Sequence, residues 1–174
     1  MTNTSILRLR SAELPQGKLP ILEVDGKIIP QSGAMIRHVA RVFDLYGGSN
    51  LEKTLVDVVI ETIEDFSTHT IKMFFEKDDD TKAQLLTKLL TETVPLYLTI
   101  FEKILDKNDW MVGSKMTIAD LAVYNTFEFI AEVAKKENGT DIFDKKSTLK
   151  EHFNRVRSIP GIKEWLEKRP QTDH

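Results

Sequence analysis

The stretch Gly17-Lys18-Leu19-Pro20-Ile21-Leu22-Glu23-Val24-Asp25-Gly26-Lys27-Ile28-Ile29 decides how the front of this chain is built. Leu19 to Val24 is an extended apolar run and Lys27 to Ile29 a shorter one. Asp25-Gly26 between them is a pair suited to a two-residue hairpin turn. Both central positions of that turn need positive φ, which Gly adopts without steric cost and Asp tolerates. Pro20 cannot donate to a β-ladder, so it belongs at an edge or a bend. Pro30 ends the second strand, and Gln31 or Ser32 opens a helix through Phe43. Met35, Ile36, Val39, Ala40, Val42 and Phe43 give that helix a broad apolar face. A hairpin and one helix bury too little to be stable alone. Ile6 to Arg10, which alternates apolar and basic residues, is a further candidate strand, and an exposed sheet edge is expected.

Working outward, the texture changes at Tyr46-Gly47-Gly48-Ser49-Asn50, where two glycines offer a helix stop and a joint. We place a partial domain at residues 1–46, a linker at 47–52 and an all-helical domain at 53–174. The helical part reads as one helix over about Leu51 to Phe75 and a second over about Lys82 to Leu105. Pro95 lies inside the second and should kink it. A third helix runs from Thr117 to about Lys136. Two shorter ones, Thr148 to Arg157 and Gly161 to Lys168, flank the break at Ile159-Pro160.

Composition narrows the function by exclusion. With 24 basic and 27 acidic residues among 174, the formal net charge is -3, which argues against a strongly basic nucleic-acid binder. There is no cysteine, hence no disulfide framework, cysteine metal cluster or cysteine nucleophile, in keeping with a reducing compartment. No apolar run is long enough for a membrane span and the N-terminus has no signal pattern, so a cytoplasmic location is expected.

Four constellations stand out. Thr117-Ile-Ala-Asp120 is a capping box, structural in role, in which Thr117 and Asp120 satisfy each other's backbone N–H. Gly17-Lys18-Leu19-Pro20 is an ordinary turn or, with a cis Leu19-Pro20 bond, a bend that frees the Leu19 backbone to pair with an extended ligand. Gln31-Ser32 is a helix cap after a strand, or a place where N–H groups and the positive helix end meet a carboxylate. Asp57, Glu61, Glu64 and Asp65 fall on adjacent turns of one helix face, either as a solvated surface or beside a hard cation. His38, His69, His152 and His174 have no metal spacing, and the basic residues between Lys145 and Arg157 read as solvated surface.

Taken in order, these motifs resemble the cytosolic glutathione transferases, and the sigma class in particular. The matching stretches are Gly17 to Gly26, Gln31-Ser-Gly-Ala-Met-Ile-Arg37, Val56 to Phe66, Trp110 to Asp120, and Ile159-Pro160. The resemblance spans about Leu14 to Thr172. It implies an α+β fold, with a truncated thioredoxin-like N-terminal domain (β-hairpin plus helix) followed by an all-α domain. It implies a homodimer that uses glutathione as co-substrate and an apolar pocket for a hydrophobic electrophile, here expected around Ile60, Phe66, Met73 and Tyr124. Carried over by position, Leu19 pairs through its backbone with the cysteinyl unit, with Pro20 cis. Lys18 approaches the glycyl end, and Gln31 and Ser32 bind the γ-glutamyl group. Asp65 reaches the γ-glutamyl site of the partner subunit. Glu61, Glu64 and Asp65 fall where the mammalian prostaglandin-synthase branch carries carboxylates linked to Mg²⁺ or Ca²⁺.

Three departures accompany the likeness. The family's first strand carries the tyrosine that stabilises the glutathione thiolate, but only Tyr46, Tyr97 and Tyr124 occur here, all after the Gly17 motif. The family's tryptophan and lysine near the glycyl end have no counterpart, with Arg10 the nearest substitute. Gln16 replaces the usual apolar residue before the glycine. The catalytic residue is therefore left unassigned. The expected function is that of a sigma-like homologue whose ancestral reaction conjugates or isomerises hydrophobic electrophiles, the alternative being a non-catalytic crystallin-like protein or dimerising scaffold.

Overall fold

The computed structural model describes residues 14–170; the candidate strand Ile6 to Arg10, the substitute Arg10 and His174 lie outside them. The chain divides into two compact units between Leu45 and Tyr46. In the first, β1 (Ile21–Val24) pairs antiparallel with β2 (Lys27–Pro30), with Leu22 opposite Ile29 and Val24 opposite Lys27. Asp25 (φ 49°) and Gly26 (φ 74°) form the expected turn, both in the left-handed region. The Leu19–Pro20 peptide is cis. Helix α1 (Ser32–Val42) follows, and Ala40 is the only buried residue in this unit among the described residues.

The second unit is entirely helical: α2 (Asn50–Phe74), α3 (Asp79–Lys88), α4 (Val94–Leu105), α5 (Ile118–Asn138), α6 (Ser147–Ser158) and α7 (Pro160–Lys168). Its core joins Val56, Val59, Ile60 and Phe66 of α2 to Leu98 and Phe101 of α4, Val123, Phe127 and Ile130 of α5, and Leu149 and Val156 of α6. The Phe127 ring lies 5.1 Å from Phe66 and 5.7 Å from Phe101, centroid to centroid, so three helices meet on one aromatic cluster.

The start of α2 explains the double glycine. Ser49 caps the helix and Glu52 returns the bond, its Oε2 accepting from the Gly48 N–H at 2.7 Å and the Ser49 N–H at 3.1 Å. Gly47 has φ 88°, and a Cβ there would stand 2.9 Å from the Glu52 Cβ, so only glycine lets the chain turn this closely.

One expectation is corrected. A single helix from Lys82 to Leu105, kinked at Pro95, does not form. Asp78 caps α3 by accepting from the Thr81 N–H at 2.8 Å, and the helix begins at Asp79. It then widens into a π-helical turn, Leu89–Thr93, before α4. Pro95 falls in the first turn of α4, where its missing N–H costs least, and the wide turn takes up the irregularity.

Candidate functional site

In the hairpin unit, Leu19 is 74% exposed and precedes the cis peptide. Its backbone N–H and C=O enter no hydrogen bond among the described residues. Lys18 and Pro20 are exposed beside it. At the other end of the hairpin, Gln31 holds φ 73° and ψ 112°, while its C=O accepts from the N–H groups of Ala34 and Met35 at 3.0 Å. Such a conformation is uncommon for a residue with a side chain and concentrates at binding sites. No side chain caps α1. The N–H groups of Ser32 and Gly33 therefore remain open, among the described residues, at the positive end of the helix. The Gln31 side chain is anchored instead to Gln16, its Nε2 donating to the Gln16 Oε1 at 2.7 Å. Lys18, Leu19, Pro20, Gln31 and Ser32 thus all belong to the first unit, with one helix N-terminus and one unpaired strand entry among them.

The helical unit holds the remaining candidates. Asp65 is exposed on α2, as are Glu61 and Glu64. Among the described residues no group of three His, Cys, Asp or Glu side chains is placed to hold a metal ion. Asp57, placed by its spacing with the same acidic stripe, is half-buried, and both its carboxylate oxygens accept from the Tyr46 hydroxyl at 2.8 Å.

The tyrosines offer little to a thiolate. Tyr124 donates its hydroxyl to Glu128 Oε1 at 2.6 Å, and burial, followed by that bond, pushes the hydroxyl well above the usual phenol range. The Tyr97 hydroxyl is raised by desolvation first and then by the Asp65 charge. The expected apolar pocket is also corrected. Ile60, Phe66 and Met73 are buried in the core, and Tyr124 lines a different cavity of about 390 Å³ with Glu128, Phe153, Arg157 and Arg169. Large aliphatic and aromatic residues at helical spacing are core first, and these helices close on one another there.

The Thr117–Asp120 box forms as expected but does more than cap. Asp120 Oδ2 accepts from the Thr117 N–H at 2.7 Å and from its hydroxyl at 3.1 Å. Asp120 Oδ1 takes the Met111 N–H and the His152 Nε2 edge, each at 2.8 Å. His152 and Asp120 are both fully buried. Sequence reading missed this partner, although Leu149, His152, Phe153 and Val156 follow the apolar register of α6. Three basic residues of the stretch around it are ion-paired: Lys146 with Glu102, Lys150 with Asp141, and Arg155 with Asp109.

Residues 64–169 match the glutathione S-transferase C-terminal domain. The mouse hematopoietic prostaglandin D synthase is 36% identical over 159 residues, covering 91% of this chain and 76% of that one. The chain belongs to the glutathione S-transferase family. Glutathione S-transferase S1 of Drosophila melanogaster is 32% identical over 92% of this chain and 63% of its own length. Among solved structures, the prostaglandin synthase D of Nilaparvata lugens superposes with a TM-score of 0.81 at 34% identity, covering 93% of this chain and 79% of that one. The architecture is the one expected: a small β-hairpin plus helix, followed by the family's all-α domain. Among the described residues no helix is long and apolar enough to cross a membrane.

Proposed function

We propose that this chain is a cytoplasmic, sigma-like glutathione S-transferase homologue that recognises glutathione through its first unit and turns it over slowly. The observation that carries the reading is the exposed Leu19 backbone beside cis Pro20, in the same unit as the open N-terminus of α1. An extended cysteinyl peptide pairs with the Leu19 N–H and C=O as an added strand would. Its γ-glutamyl carboxylate suits the Ser32 hydroxyl and the Ser32 and Gly33 N–H groups, which act together with the positive helix end. Gln31 supplies an amide for the amino group, and Lys18 is the cation for the glycyl carboxylate. Asp65 on the exposed face of α2 is the carboxylate a second copy contributes to the γ-glutamyl site. Leu51, Leu55 and Val58, exposed at i, i+4 and i+7 on α2, support a homodimer built on that face.

The ancestral reaction is attack of the glutathione thiolate on a hydrophobic electrophile, or a glutathione-assisted isomerisation. A thiol with its usual pKa near 8.5 is only a few per cent ionised at pH 7, and a transferase must supply a donor at the sulfur. The tyrosines of this chain do not meet that need: the Tyr46 and Tyr124 hydroxyls already donate to Asp57 and Glu128, and the Tyr97 hydroxyl is raised. Binding with little turnover is therefore expected. The second reading, a non-catalytic scaffold, draws on the concentration of buried side chains in the helical unit.

Titration calorimetry with glutathione, paired with a conjugation rate on the same sample, decides between them. Saturable binding with negligible turnover is the expected result. Efficient turnover would mean that another group activates the thiol. A folded sample that neither binds nor turns over would leave the scaffold.

A further inference from the structure

The cavity of about 390 Å³ that Tyr124 lines lies between α5, α6 and α7. It is wholly within the helical unit and shares no residue with the glutathione candidates. Its floor is aromatic: Tyr124 and Phe153 are buried, with ring centroids 5.2 Å apart, and Leu166 adds an aliphatic wall. The volume is near the lower end for ligand pockets, so the space suits one small molecule rather than a peptide.

The rim carries charge of both signs. Glu128 is already engaged, accepting from the Tyr124 hydroxyl at 2.6 Å and facing Arg169 at 3.6 Å. Glu132 and Lys135 on α5 and Arg157 on α6 also line the cavity, and they are exposed and enter no ion pair among the described residues. Burial and the Glu128 bond raise the Tyr124 hydroxyl, while the Arg157 and Arg169 charges oppose that rise, which sets both guanidinium groups beside the floor. A simple organic anion would meet Arg157 but also two carboxylates; a simple amine would meet Glu132 but also three cations. A zwitterion answers both signs at once. Its carboxylate accepts from the planar guanidinium fork, its ammonium donates to a carboxylate, and a large apolar body on the aromatic floor keeps water from both bonds.

We infer that this cavity binds a free α-amino acid with a large apolar side chain, whose carboxylate pairs with Arg157 and whose ammonium pairs with Glu132. The site is separate from the glutathione site and does not depend on it.

The test uses titration calorimetry with three ligands: L-tryptophan, indole-3-propionate, which lacks the ammonium, and tryptamine, which lacks the carboxylate. The wild-type protein should bind tryptophan saturably and each analogue roughly tenfold or more weakly. Arg157→Gln should bring tryptophan down to the affinity of tryptamine, and Glu132→Gln should bring it down to that of indole-3-propionate. Both positions are exposed, and circular dichroism checks that each variant keeps the wild-type fold. Saturating S-hexylglutathione should leave tryptophan binding unchanged. Displacement by it would assign tryptophan to the glutathione site and overturn the inference. Equal binding of the three ligands, wild-type affinity in both variants, or no saturable tryptophan binding by the folded protein would each overturn it as well.

Discussion

The two units of this protein divide the work of folding and the work of recognition. The helical unit buries phenylalanines, aliphatic residues and one Asp–His pair from four helices, whereas the hairpin unit buries Ala40 alone among its described residues. Yet the features suited to a peptide ligand lie in the hairpin unit: an unpaired strand entry, an open helix N-terminus and a backbone held at positive φ. The contrast is physical. A close-packed core pairs nearly all its polar groups internally, and here the one buried side-chain atom left without a partner among the described residues is His152 Nδ1, whereas a strand entry and a helix end carry unpaired groups that a ligand can complete.

The contrast can be broken at several points. The largest effect should come from Phe127→Ala, which empties the place where Phe66 and Phe101 meet, at a cost of about 3–5 kcal/mol. Urea unfolding measures it, and a loss under about 1 kcal/mol would show that the core is not organised on that ring. Asp120→Ala strands two backbone N–H groups, a hydroxyl and the buried His152, and should cost about 3 kcal/mol in the same assay. In the hairpin unit, Gly26→Ala places a side chain at φ 74° and should cost the turn about 1–2 kcal/mol. Its readout is amide exchange at Leu22 and Ile29, the pair expected to share ladder bonds next to the turn pair; unchanged protection there would mean that the turn does not hold the hairpin.

The smallest effect is a pH dependence. The Gly48 and Ser49 N–H groups hold the Glu52 carboxyl below its ordinary 4.5. Because its pKa is lower folded than unfolded, its contribution is present above about pH 4.5 and is lost as pH falls through the folded value. Glu52→Gln should therefore remove stability at neutral pH but lose this part of the acid sensitivity. Parallel wild-type and variant curves down to pH 3 would contradict the assignment.

Local chemistry made much of this legible in advance. Asp25-Gly26 specifies a turn by steric rules alone, Thr117 with Asp120 has the spacing of a reciprocal cap, and the apolar period marks α5; the Ser49–Glu52 box at the start of α2 has the same spacing but went unread. What escaped were contacts between residues distant in sequence. His152 meets Asp120 only because α6 packs on the start of α5. Gln16 meets Gln31 only because the hairpin folds back, and the supposed pocket residues Ile60, Phe66 and Met73 were consumed by the core. The π-helical turn at Leu89–Thr93 escaped for another reason: helix propensity does not separate one register of backbone bonding from the next.

By itself, the order of residues determined the hairpin and the capped start of α5, since each depends on neighbours a few positions apart, and the succession of motifs along the chain determined the family. Only the tertiary structure decided which polar side chains are satisfied internally and which remain open to a ligand. That choice depends on what packs against each one, and packing partners are set by the whole fold.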